Sequence, residues 1–328
     1  MAHRPKNPAI ALRAGVAPSC LALPQMRCPP WPTLLEHLCQ RLPRIGRAQW
    51  QQRLADGLVC AEDGRPLAPD SPYLGGARIY YWRDLPEERA IPFEATVLHQ
   101  CAHLVVADKP HFLPVTPGGR YVQQTLLVRL KQALGLPDLS PLHRIDRETA
   151  GLVLFAVRAR DRDAYQRLFR QRLVDKVYEA IAPAAPQLPW PIVRRSHILE
   201  CEHAFYKMRE ASAPEALPPN SETRIEPIEQ RGPWARYRLQ PLSGRRHQLR
   251  VHMLGLGLPI VGDQFYPEVR RQPDEAEDYA EPLRLLARLK AGELVNFVAQ
   301  QVGGKGGVGA AAVPQALASV AGWVRERV

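Results

Sequence analysis

Between Thr33 and Val59 the apolar positions step at three and four residues: Leu34, Leu35 and Leu38, then Ile45, Trp50 and Leu54. That period predicts helix, and Pro43 divides it into two short ones. ADGLV, DGRPL and GGARIYYW then read as turns and short strands. Upstream, residues 1–30 are rich in Pro and Ala without a period, which predicts a loose leader. A second unit starts near residue 84. HLVVADKP (103–110) is a short apolar strand that exits on Asp108, Lys109 and Pro110. QQTLLVRLKQAL (123–134) and RDRDAYQRLFRQRL (160–173) read as helices, and DKVYEAIA (175–182) alternates polar and apolar like a strand. Residues 183–220 are Pro-rich and predicted irregular. RYRLQPLSGRRHQLRVHMLGLGLPIVGD (236–263) reads as strand, Gly turn, helix and turn, and an acidic loop, PDEAEDYAEP, comes next. Strands and helices alternate irregularly, which predicts an α+β chain with a mixed sheet rather than a doubly wound parallel one.

Composition changes this picture only modestly. At 328 residues the chain is long enough for a large domain and a smaller one, and its net charge of +11 favours a polyanionic partner. Six scattered cysteines form no C-x-x-C pair and stand near no zinc-type histidine spacing, which suits a reducing compartment. No apolar run approaches a membrane span, and the N-terminal stretch has no continuous apolar core of the secretory kind. The expectation is a cytoplasmic monomer without membrane attachment.

The chemistry is concentrated in HRIDRETAGL (143–152), where charge is crowded against an apolar strand. Taken alone, Asp146 reads as a turn or helix cap, Tyr178 as a core aromatic, and Arg250 with His252 as a polar helix face. His247 and His252 are five apart, not the four that would put two metal ligands on one helical face. Asp146 and Glu148 could be pictured as paired carboxylates for glycoside hydrolysis, but no sugar pocket supports that.

The joint occurrence of four ordered blocks overrides these separate readings. HRIDRETAGL resembles the H-R-L-D-x-x-T-S-G-L signature of the RluA-type RNA pseudouridine synthases. DKVYEA (175–180) resembles the K-x-Y-x-A strand of that family, and SGRRHQLRVHMLGLGLPIVGD (243–263) resembles its G-R-x-H-Q-I-R-x-H…G-x-P-I-x-G-D block. VVADKPHFLPVTP (105–117) resembles the Lys-Pro segment that precedes them, and the likeness spans about residues 91–287. The departures are mild: Ile145 stands for Leu, Ala150 for Ser, and Arg246 and Leu249 are variants.

The resemblance implies a pseudouridine synthase fold, with a mixed, largely antiparallel sheet flanked by helices and loops over residues 84–288. It implies isomerisation of uridine to pseudouridine in structured RNA without metal or organic cofactor; the motifs fit ribosomal and transfer RNA alike, and the basic N-terminal part of the chain favours ribosomal RNA. Asp146 would be the catalytic aspartate, as nucleophile or as base at the sugar. Tyr178 would stack on the target base and could relay a proton, and Arg250 would hold Asp146 in an ion pair. Arg144 would enter the gap left by the flipped base, with His143 also meeting RNA. Lys109, Lys176, Arg245 and His247 would be phosphate contacts or pocket walls. The alternatives are a non-catalytic RNA-binding protein that keeps the fold, and an inactive fusion product.

Two further resemblances concern the ends. Residues 31–83, with Arg41, Arg44, Arg47 and Arg53 on or near the two helices, resemble the alpha-L RNA-binding module. Residues 289–328 carry VGGKGG and ALASVAGWV and resemble the C-terminal end of alanyl-tRNA synthetases, as a shortened, foreign piece. Read plainly, they are a Gly/Ala-rich tail with one amphipathic helix through Leu317, Val320 and Val324. The family's usual closing strand is then missing, leaving a sheet edge bare or patched by the tail.

Overall fold

Apolar side chains at helical spacing need a second layer to bury against, and in the N-terminal part of the chain a small sheet supplies it. The computed structural model describes residues 7, 10–43, 45–83, 88–269 and 300–304. It divides the chain into two units: residues 1–88, 117–123 and 128–137 form one, and residues 89–116, 124–127 and 138–328 the other.

In the first unit, β1 (Ser19–Ala22) precedes α1 (Leu34–Arg41) and α2 (Arg47–Ala55), and β2 (Val59–Ala61) and β3 (Arg78–Tyr81) follow. The strands form an antiparallel sheet in the order β1-β3-β2. Thr33 starts α1 with a capping box: its hydroxyl accepts the Glu36 N–H, and the Glu36 carboxylate accepts the Thr33 N–H. Leu34, Leu38, Trp50, Leu54, Val59 and Ile79 pack into one core. Two expectations are corrected here. Part of the predicted leader is a strand, because Ser19–Ala22 completes the ladder beside β3. Arg53, one of the four arginines of the expected RNA-binding module, is buried, with its guanidinium 5.3 Å from the centre of the Trp50 ring. Arg41 and Arg47 are exposed, and Arg44 lies outside the described residues.

The second unit is built on two antiparallel sheets. The smaller joins β4 (Thr96–Gln100), β5 (Leu104–Lys109), β6 (Ser140–Pro141) and β7 (Gly151–Ala156) in the order β4-β5-β7-β6. Every residue of β7 is buried, so GLVLFA reads as a continuous apolar run rather than an alternation. Helix α3 (Leu126–Leu134) begins in this unit's residues and ends in those of the first; α4 (Arg162–Arg170) follows β7.

The larger sheet joins β8 (Val174–Pro183), β9 (Ile192–Ser196), β12 (Ser221–Arg231), β13 (Trp234–Pro241) and β14 (Gln300–Gly304) in the order β14-β8-β13-β12-β9. In β13 the period of two is clean: Ala235, Tyr237 and Leu239 face the core, which Met253 and Leu258 complete from α5 (Gln248–Gly255) and the turn after it. β10 (Ile198–Cys201) and β11 (Ala204–Glu210) form a separate two-stranded ribbon. The stretch expected to be irregular therefore contains β9, β10 and β11.

β14 lies along the outer edge of β8, with Gln300 opposite Tyr178 and Val302 opposite Lys176. The sheet edge is thus covered by a tail segment. The expected tail helix and the acidic loop lie outside the described residues. Among the described residues no helix is long and apolar enough to cross a membrane.

Candidate active site

The loop between β6 and β7 carries Asp146, and its backbone is fastened from beneath. Lys109, at the end of β5, is fully buried, and its Nζ donates to the carbonyls of Pro110 (2.9 Å), Leu113 (2.8 Å) and Arg147 (3.1 Å). His111 Nδ1 donates to the Glu148 carbonyl at 2.6 Å. The loop also makes its own turn, with the Thr149 N–H reaching the Asp146 carbonyl at 3.2 Å. Lysine and histidine in the Lys-Pro-His segment are therefore the supports of the two peptides that follow Asp146. Burial lowers Lys109 to about 7, with Glu148 and Asp146 opposing that shift.

Lys109 thus departs from its expected place. It does not meet phosphate, because three carbonyls hold it inside the fold. His143 is half-buried: its Nε2 accepts the Leu154 N–H at 3.2 Å, and its ring stacks on Phe169 with centroids 4.8 Å apart. It lines a cleft together with Arg144, Lys176 and Arg245, with one ring nitrogen occupied by the fold.

Arg250 converges on the loop from α5 and is nearly buried. Its Nε and Nη2 each donate to Asp263 at 2.7 Å, a two-point bond that fixes the guanidinium plane. The remaining arm, Nη1, donates to Asp146 Oδ2 at 3.2 Å and lies 3.7 Å from Glu148 Oε2. The guanidinium is also 5.0 Å from the Tyr266 ring centre. Burial by itself would lower the Arg250 pKa; the Asp263 hydrogen bonds and the surrounding carboxylates raise it instead. Burial likewise works against the charge of Glu148, yet Arg147 and Arg250 pull its carboxyl down to about 2.

A cleft opens beside this cluster. Asp146, Tyr178 from β8, His247, Arg250 and Ile260 line it, with Arg144 at its exposed margin. A neighbouring cleft is bordered by Arg144, Phe169, Arg170, Arg172, Lys176 and Arg245. The turn between β13 and α5 is held by Gln248, whose Oε1 accepts from the Ser243 hydroxyl (2.8 Å) and the Arg245 N–H (3.0 Å). Lys176 Nζ donates to the Ser243 carbonyl at 3.0 Å. Among the described residues no cluster of side chains could hold a metal ion.

The structure therefore brings together Asp146, Tyr178, Arg250, His247, Lys176, Arg245 and Arg144, and takes Lys109 into the interior. Sequence reasoning gave no role to Asp263, Glu148 or Tyr266. Asp263 and Tyr266 lie just beyond α5, and the signal for Asp263 was the Gly-Asp pair that closes the last motif block.

Comparison with known proteins gives the family. The RNA pseudouridylate synthase family matches residues 103–254. The uncharacterized RNA pseudouridine synthase slr1592 of Synechocystis is 31% identical over 240 residues, which cover 71% of this chain and 79% of that protein. The dual-specificity RNA pseudouridine synthase RluA of Haemophilus influenzae is 31% identical over 217 residues, covering 62% of this chain and 92% of the relative. The chain belongs to the RluA-type RNA pseudouridine synthases. A third relative, ribosomal large subunit pseudouridine synthase D of H. influenzae, is 28% identical and covers 76% of this chain and 78% of its own.

The site of this synthase is rich in uncharged histidine. Burial pushes His111, His143, His247 and His252 each down to about 4 from an ordinary 6.5. Each folded value lies below the unfolded one, so the folded state binds fewer protons in that window. The stability they contribute is complete above pH 6.5 and is lost as the pH falls toward 4. Each contributes a slope of up to about 1.4 kcal/mol per pH unit. Thermal melts followed by circular dichroism should show Tm dropping steeply below about pH 6. A flat Tm down to about pH 4.5 contradicts this account.

Proposed function

We propose that this synthase isomerises uridine to pseudouridine in RNA at the cleft between the Asp146 loop, β8 and α5. The observation that carries the reading is the Arg250 arm on Asp146 Oδ2, at 3.2 Å, in a guanidinium already fixed by Asp263. The carboxylate is thereby held in one orientation at the cleft it lines. Asp146 acts at the sugar, as nucleophile or base, so that the base detaches, turns and rejoins through carbon. Tyr178, which lines the same cleft, is the surface for the flipped base to stack on. Atoms and protons balance within the isomerisation, so the chemistry asks for no redox or group-transfer partner.

The uridine has to leave its stack, at a cost of a few kcal/mol. Arg144 is exposed at the margin of both clefts, where a planar guanidinium can fill the vacated space. Arg144→Ala should lower the single-turnover rate on the order of 10- to 100-fold while changing RNA affinity far less. Equal losses in rate and affinity, by stopped-flow and filter binding, would make Arg144 a plain phosphate contact.

Ribosomal RNA is the favoured substrate. Supporting it are the overall charge of +11, the exposed Arg41 and Arg47 of the N-terminal unit, and the similarity to the large-subunit enzyme of H. influenzae. The test is incubation of the purified protein with unmodified ribosomal and transfer transcripts, followed by nucleoside analysis and mapping. Pseudouridine at one or a few defined ribosomal positions is the expected result. RNA that is bound without any gain of pseudouridine would favour a non-catalytic RNA-binding protein.

A further inference from the structure

His247 is buried beside Asp146 in a conformation that the fold has to enforce. Its backbone φ is +53°, in the left-handed region that a side chain bearing a Cβ enters at a cost. The ring is boxed in: it stacks on Phe265 at 13° between planes and meets the edge of Tyr266. Nδ1 lies 3.0 Å from the Tyr266 hydroxyl. That hydroxyl has one hydrogen, which it gives to the Met208 carbonyl at 3.0 Å, and it accepts the Met208 N–H at 2.7 Å. Toward His247 it can therefore only accept, so Nδ1 carries the ring hydrogen and Nε2 presents a lone pair. Burial, against the opposing pull of Asp146, lowers the ring to about 4 and keeps it neutral.

Nε2 lines the cleft 3.9 Å from Asp146 Oδ2, and among the described residues it makes no hydrogen bond. Two acceptors, a carboxylate oxygen and an imidazole lone pair, thus face one gap with no hydrogen between them. Such an arrangement is completed by a donor that arrives with the substrate. Whether Asp146 attacks C1′ or draws a proton from the sugar, its oxygen has to approach the C1′–C2′ edge of the ribose. The donor a uridine carries on that edge is the 2′-hydroxyl. With Asp146 about 3 Å from the reacting atom and a hydrogen bond of about 2.8 Å, a 3.9 Å separation of the two acceptors lets both contacts form together.

We infer that His247 Nε2 accepts a hydrogen bond from the 2′-hydroxyl of the target ribose, making it the residue by which this site prefers a ribonucleotide to a deoxyribonucleotide. The 2′-hydroxyl is the group that distinguishes RNA from DNA at any one position, and a buried acceptor left without it is penalised. Tyr266 is a positioning residue, since it fixes which ring nitrogen offers the lone pair. The inference rests on the synthase reading and adds to it the part of the substrate that is read.

The probe is a synthetic RNA stem-loop spanning a uridine mapped in the transcript assay, made with ribose or 2′-deoxyribose at that nucleotide only. The native protein should lose roughly 10- to 100-fold in kcat/KM on the deoxy probe. His247→Ala and His247→Asn should lose a comparable factor on the ribose probe and little more on the deoxy one. Tyr266→Phe, which frees the ring tautomer, should reduce the ribose preference while Asp146 chemistry persists. Circular dichroism and RNA affinity identify any variant that fails to fold, and the native protein's ribose preference stands as a separate reading. Additive losses in the His247 variants, or equal turnover of both probes by the native protein, would overturn the inference. Absence of pseudouridine with the native protein on every RNA would overturn the synthase reading itself, and this inference with it.

Discussion

Asp146→Asn abolishes uridine isomerisation, by on the order of 10⁴-fold or more, equivalent to about 5.5 kcal/mol of barrier. The substitution keeps the size of the side chain and an oxygen for the Arg250 arm, so geometry survives and only the anionic oxygen is lost. Folding should be nearly unaffected. Asp146 is 27% exposed and accepts one bond from Arg250, whereas Asp263 carries the two-point anchor. The measurement is pseudouridine yield under single turnover, with Tm and RNA affinity as controls. Full affinity and an unchanged Tm with no product place the loss in the chemistry. Turnover surviving in Asp146→Asn would remove Asp146 from the reaction.

What was legible in the chain depended on whether apolar contrast survived in it. β13 is readable because apolar positions alternate with polar ones at a period of two, and β5 because it is a short unbroken apolar run. β9 is not readable, since its two central side chains are arginines held by ion pairs rather than apolar contacts. Arg194 pairs with Glu210, and Arg195 with Glu222, so IVRRS has almost no hydrophobic alternation to detect. The prolines between 183 and 220 stand before β9 and after β11, and they make the whole stretch look irregular. β1 has only four residues, too few for a period to register.

The site divides along a similar line. Asp146, Tyr178 and Arg250 were found through motif blocks, not through spacing, because their three elements meet only in the fold. Lys109 lies in the interior and one nitrogen of His143 is taken by the fold, although charge and polarity in a sequence suggest solvent or ligand. Here the loop's own carbonyls and a strand N–H take their hydrogen bonds. The tautomer of His247 is not legible in the sequence, since it depends on a tyrosine 19 residues away that gives its one hydrogen elsewhere.

Arg250 gives the other large effect, and there stability and activity fall together. Arg250→Met leaves Asp263, which is 3% exposed, together with Glu148 and Asp146, without their shared cation. Removing one member of a buried ion cluster typically costs about 3–5 kcal/mol, because the remaining charges stay desolvated. At roughly 2–4 °C per kcal/mol for a domain of this size, Tm should fall by about 10 °C. Asp263 keeps the N–H groups of Phe265 (2.8 Å) and Tyr266 (3.1 Å), which limits the damage and leaves a folded protein to assay. Arg250→Lys keeps a charge but not the planar fork, so it should recover part of the Tm and little of the activity. The pair Arg250→Met with Asp263→Asn separates the two roles. Relieving the orphaned carboxylate should restore several degrees of Tm, and isomerisation should stay lost because nothing then orients Asp146. Recovery of activity together with stability would reduce Arg250 to a structural residue and leave Asp146 positioned by its loop alone.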